Sequence, residues 1–90
     1  MQLTAQQVSK FDEEGYVIFR NLFSNLEMSI LRREASRIAE LHTECVIREG
    51  KAGVPKIMLR MHENNGPTSS AAYNAASRLP KVLGAAKQVL

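Results

Sequence analysis

Two histidines, one cysteine and a scattered set of carboxylates and hydroxyls are the groups in this 90-residue chain that could carry chemistry. His42-Thr43-Glu44 spells H-x-E, and His62-Glu63 offers a second imidazole. A divalent metal held by two imidazoles and a carboxylate needs all three on one face, with positions left open for oxygen or substrate. His42 instead closes an amphipathic helical run, where an imidazole meets the favourable end of the helix dipole. His62 opens a polar loop. Both read as surface histidines, and no metal ligand is assigned. Cys45 lacks a His–Asp relay and reads as a small buried hydrophobe. The serines at 9, 24, 29, 36, 69, 70 and 77 fit no nucleophile elbow. The glycines at 15, 50, 53, 66 and 84 are too dispersed for a phosphate-cradling loop. No catalytic residue is assigned on these patterns.

Bulk properties narrow the classes further. Ninety residues allow one small domain, burying only roughly 60–65% of the unfolded surface. The net charge of +3 is uneven: residues 1–44 carry seven acids and five bases, residues 45–90 two acids and seven bases. The bases of the second half stand singly, and Arg32-Arg33 is the longest basic run. Clustered phosphate contacts are therefore not provided, and no nucleic-acid partner is expected. A lone cysteine permits no intrachain disulfide and suits a reducing compartment. The start MQLTAQQVSK is not a secretory signal, and no apolar run reaches the ~18 residues of a membrane span. A soluble, cytoplasmic chain without a membrane partner is expected.

The elements that must position these groups are legible from capping and periodicity. Thr4 with Gln7 forms a capping box, with Leu3 and Val8 at staple positions, and predicts a helix over Ala5–Glu14. Gly15 can take the left-handed conformation that closes it. The β-branched and aromatic run Tyr16–Arg20 predicts a strand. Ser24 and Glu27 form a second capping box, flanked by Phe23 and Met28, and open a helix over Asn25–Thr43 with Met28, Leu31, Ala35, Ile38 and His42 on its apolar face. Glu34 with Arg37, and Arg33 with Glu40, read as ordinary surface charges. Cys45–Arg48 and Val54–Met61 predict extended segments around a Glu49–Gly53 turn, and Pro55 argues for an edge. Glu63–Pro67 is a loop. Ser69 or Ser70 caps a helix over Ala71–Ser77, and Pro80 starts another carrying Val82, Leu83, Ala86, Val89 and Leu90. Nothing after that stripe closes it, so the chain is expected to continue beyond Leu90.

The order D-x-x-G-Y-V-I over Asp12–Ile18, followed by Leu22-Phe23-Ser24 opening a long helix, resembles the opening segment of the phytanoyl-CoA dioxygenase family. Those enzymes are oxygenases dependent on iron(II) and 2-oxoglutarate. Ser70–Tyr73 and Arg78–Leu90 resemble the family's helix pair just before the barrel. The resemblance implies an α+β fold in which residues 1–90 form the N-terminal helices and edge strands of a double-stranded β-helix (jelly-roll or cupin-like), with the barrel core missing and the chain cut before the H-x-D iron motif. It implies iron(II) and 2-oxoglutarate as cofactors, and a small-molecule substrate, for the intact protein, with none of these held by the 90 residues alone. Lys56–His62 resembles a family strand carrying a basic side chain, and at the matching place Arg60 is expected to approach a carboxylate of 2-oxoglutarate. The planar donor fork of arginine suits that group. Lys56, four residues away along a strand and so on the same face, is the alternative.

These readings converge on an inactive N-terminal portion of a dioxygenase. The competing reading is a self-contained α-rich interaction module whose basic second half docks an acidic partner. Oligomeric state is open on either reading.

Overall fold

The computed structural model describes residues 2–90, and its element order is helix α1 (Ala5–Glu14), helix α2 (Asn25–Ala39), strand β1 (Val46–Glu49), strand β2 (Val54–Met58), helix α3 (Ala71–Ser77) and helix α4 (Pro80–Val89). The fold is α+β, with four helices and one two-stranded antiparallel sheet among the described residues. None of these helices is long and apolar enough to cross a membrane.

Both predicted capping boxes form. Gln7 N–H donates to Thr4 Oγ1 at 3.1 Å while Thr4 N–H donates to Gln7 Oε1 at 2.9 Å. The Ser24–Glu27 pair repeats this at 3.1 and 2.7 Å. Each box satisfies two of the donors that a helix start leaves without partners. Gly15 closes α1 at φ 83°, with its N–H on the Phe11 carbonyl.

Two expectations need correction in this half. Residues 16–19 lie in no helix or strand and pair with nothing in the sheet among the described residues, so the run Tyr16–Arg20 does not form the expected strand. Strand propensity describes how side chains fit a pleated surface; a ladder also requires a partner. Helix α2 stops at Ala39 rather than Thr43, which leaves His42 exposed in the following loop instead of on a helix face.

The early stop has an identifiable cause. Arg48, on β1, donates to the carbonyls of Ala39 at 2.7 Å and Leu41 at 3.0 Å, and to Gly53 at 2.9 Å. One guanidinium thus caps the carbonyl end of α2, complements its dipole and braces the β1–β2 turn.

The sheet pairs Val46 with Met58, Ile47 with Ile57, Arg48 with Pro55 and Glu49 with Val54. Lys56 has no counterpart in that register and is the extra residue of a bulge, which breaks the strict alternation of side chains. β2 ends at Met58, short of the expected Met61, although Leu59 N–H still reaches the Cys45 carbonyl at 2.8 Å.

The buried apolar residues are few: Leu3, Ile38, Cys45, Val46 and Ala85. The radius of gyration is 15.9 Å, where a compact chain of this length has roughly 12 Å. The accessible surface is 6817 Å² for 10.0 kDa, against the roughly 5,200 Å² of a compact monomer of that mass. Tyr16, Ile18, Leu26 and Val54 are all more than half exposed.

Candidate functional site

The segment after β2 holds the one residue with an expected binding role, Arg60. Three side chains or amides from the approach to α3 fix its backbone. Thr68 Oγ1 donates to the Leu59 carbonyl, Ser70 N–H to the Met61 carbonyl at 2.9 Å, and Asn74 Nδ2 to the His62 carbonyl at 2.8 Å. Thr68 and Ser70 are buried, and no buried side-chain polar atom lacks a partner among the described residues. Arg60 itself lies past the strand with φ 64°, in the left-handed region that arginine adopts at a cost.

This pinned segment carries Arg60 and His62 to the rim of an open groove of about 460 Å³. Phe23, Leu31, Met58, Met61, Tyr73 and Val82 supply its apolar surface. Tyr73 is held by its hydroxyl, which donates to the Leu31 carbonyl at 3.0 Å. The Arg60 guanidinium does not stand free: its Nε donates to the Glu63 carboxylate. That hydrogen bond, then the charge of Glu63 and the neighbouring Cys45 thiol, raise the Arg60 pKa above its ordinary value. Lys56 pairs instead with Glu49 across the sheet at 3.1 Å. The shared-face relation to Arg60 does not hold, because one residue is bulged and the other lies beyond the strand.

The other candidates are dispersed. His42 and Glu44 are exposed in the α2–β1 loop, Cys45 is buried as a free thiol, and His62 is exposed beyond β2. No group of three His, Cys, Asp or Glu side chains comes together among the described residues. The residues present therefore do not fit an iron(II) centre of two imidazoles and a carboxylate.

Pattern reading missed two charged links. Glu34 is more than a surface partner for Arg37: its Oε1 also accepts from Ser70 Oγ at 2.7 Å, joining α2 to the cap of α3. Donation from Arg37, at 2.8 and 3.1 Å, and from Ser70 holds the Glu34 carboxyl down to about 2. Arg33 and Glu40 form no ion pair among the described residues. Lys81 donates to Glu27 Oε1 at 2.6 Å and sits 4.7 Å from the centre of the Phe23 ring. With the Ser24 amide, it lowers the Glu27 pKa. These partners lie 36 and 54 residues apart, so no local pattern could have announced them.

Comparison with known proteins finds a curated relative. The chain is 33% identical to the ectoine dioxygenase of Nocardia farcinica over 93 aligned positions. It resembles part of a dioxygenase. The alignment takes in 99% of this chain, which spans only 30% of that relative's length. No family model matches, and no solved structure matches.

Proposed function

We propose that these residues are the N-terminal portion of an iron(II)- and 2-oxoglutarate-dependent dioxygenase of the phytanoyl-CoA dioxygenase type. In the intact protein they would buttress a double-stranded β-helix whose own residues hold the metal, and the reaction would hydroxylate a small molecule. The observation that carries this reading is the similarity to ectoine dioxygenase, which runs through 99% of the chain. When bound, iron and the oxo acid would supply the oxygen chemistry. The residues of this chain supply scaffold and, at Arg60, a fork for a carboxylate.

The surface supports the same reading. The excess over a compact monomer is roughly 1,600 Å², about twice the ~800 Å² that one partner gives to a standard protein–protein contact. Residues 16–19 add an aromatic and β-branched segment with no ladder partner among the described residues. Both features suit a piece that packs against further polypeptide. They weigh against a self-contained module.

The test is turnover. With iron(II), oxygen and 2-oxoglutarate, the 90 residues are expected to form succinate only at the background rate, while an extended polypeptide carrying a downstream H-x-D/E motif forms it in a substrate-stimulated way. Co-substrate-dependent succinate from the 90 residues alone overturns the reading.

A further inference from the structure

We propose that Asn65-Gly66 is a self-modification site, at which the Gly66 nitrogen closes on the Asn65 side chain to give a cyclic imide that water opens, and that Ser69 holds the reaction back. The inference is independent of the dioxygenase reading. Of the asparagines at 21, 25, 64, 65 and 74, Asn65 alone precedes a glycine. Asn21 and Asn25 precede leucines, and Asn64 precedes Asn65. Asn74 precedes Ala75 within α3, and its side-chain amide is engaged on the His62 carbonyl. A side chain on the following residue crowds the attacking nitrogen, and glycine has none. Asn65 is exposed in the loop before α3. Around the place that a Gly66 Cβ would take, only Ser69 Oγ lies within contact, at 3.4 Å.

The chemistry needs no reactant besides water. Base takes the proton of Gly66 N–H, and the nitrogen attacks Asn65 Cγ. The new N–Cγ bond replaces the Cγ–Nδ2 bond, and Nδ2 leaves as ammonia with a proton drawn from water. Hydrolysis of the imide at Cγ restores the ordinary backbone with an aspartate side chain. Hydrolysis at the main-chain carbonyl leaves isoaspartate, with the backbone running through Cγ and one atom longer. Either product adds a carboxylate to the loop that Thr68, Ser70 and Asn74 tie back to residues 59, 61 and 62. The restraint lies in the turn itself. Gly66 N–H donates to Ser69 Oγ at 2.6 Å, and Ser69 N–H donates to the Gly66 carbonyl at 3.2 Å. While these bonds hold, the attacking nitrogen is fixed against Ser69 and its proton is withheld from base. An exposed loop of this kind opens locally, without global unfolding.

The experiment ages the 90-residue chain in mildly alkaline buffer and follows released ammonia, with peptide mapping that separates asparagine, aspartate and isoaspartate. It compares wild type, S69A and G66A, and wild type unfolded in guanidinium chloride. Conversion is expected at residue 65 ahead of the other four asparagines, and faster as the buffer is made more alkaline. S69A should convert roughly two- to ten-fold faster than wild type, the factor that corresponds to losing one hydrogen bond. G66A keeps the backbone donor but crowds the nitrogen, and should suppress conversion. The unfolded chain should convert faster than the folded one, which tests the restraint even where S69A disturbs the fold. Conversion of G66A at the wild-type rate, or of another asparagine ahead of Asn65, overturns the site. Equal rates for the folded and unfolded wild type, or for a folded S69A and wild type, overturn the restraint by Ser69.

Discussion

The side-chain amide of Gln88 grips the backbone of Leu3 at both of its polar groups. Leu3 N–H donates to Oε1 at 2.7 Å, and Nε2 donates to the Leu3 carbonyl at 2.9 Å. Residues 85 apart are joined as though across a two-stranded ladder, and the clasp holds Leu3 in the small core beside α4. It satisfies the main chain just ahead of the α1 cap, so helix entry and chain closure share one side chain.

Loss of that clasp is therefore expected to loosen α1 and α4 together. Q88A should cost about 1–2 kcal/mol, the usual net worth of two neutral hydrogen bonds. Q88E keeps an acceptor for the Leu3 amide but sets a carboxylate against its carbonyl, and should be no better than Q88A. Urea denaturation measures the loss, and hydrogen exchange at the Leu3 amide localises it. Unchanged protection at Leu3 in Q88A would contradict the clasp.

A second long-range brace is Arg48 at the carbonyl end of α2. R48M removes donors from the Ala39, Leu41 and Gly53 carbonyls at once and should destabilise by about 2 kcal/mol, since bonds from charged donors exceed neutral ones. R48K should recover less than half of this, because an ammonium cannot reproduce the spread of the fork. Denaturant midpoints report the difference. Equal midpoints for R48K and wild type would mean that charge alone, not the fork, closes the helix.

Such pairs mark the limit of what the chain discloses as text. Both ends of α1 were legible because Thr4, Gln7 and Gly15 act within one or two turns. The start of α2 was legible for the same reason, through Ser24 and Glu27. Its end was not, because no glycine stops it; the stop comes from Arg48, nine residues beyond Ala39. Tyr16–Phe19 shows strand composition without a strand, since pairing belongs to a partner and not to the segment. Pro55 lies in a two-stranded sheet where either strand is an edge, and the bulge at Lys56 depends on register and leaves no sign in residue types. At the candidate site, Arg60 was singled out by resemblance alone. Its pairing with Glu63 is a local charge match that spacing permits, whereas the anchors from Thr68 and Asn74 are not visible in spacing.

Acid should expose the contribution of Glu34. Its carboxyl is held down to about 2 from an ordinary 4.5 by donation from Arg37 and Ser70. Between those values the unfolded chain binds a proton that the folded chain does not, so stability rises with pH there. The Glu34 contribution is fully present above the unfolded value and lost as pH falls from 4.5 toward 2. Glu27, lowered by Lys81 and Ser24, acts in the same direction. Thermal midpoints taken across this range should fall steeply for wild type and less steeply for E34Q. A parallel decline in the two would remove Glu34 from the account.

The backbone at Arg60 yields a last expectation, independent of any ligand. Arginine at φ 64° bears the steric cost of the left-handed region, which Asn21 and Asn65 at φ 56° and 62° bear more easily. R60G abolishes that cost and sacrifices an exposed pair with Glu63 that contributes little. It should therefore raise the melting temperature by about 4 °C, given the usual relation for a small domain. R60A keeps the same backbone demand and should melt near wild type. A stabilised R60G would show that arginine stands at this position against the preference of the turn. A destabilised R60G would instead make the Arg60–Glu63 pair a structural element of the loop.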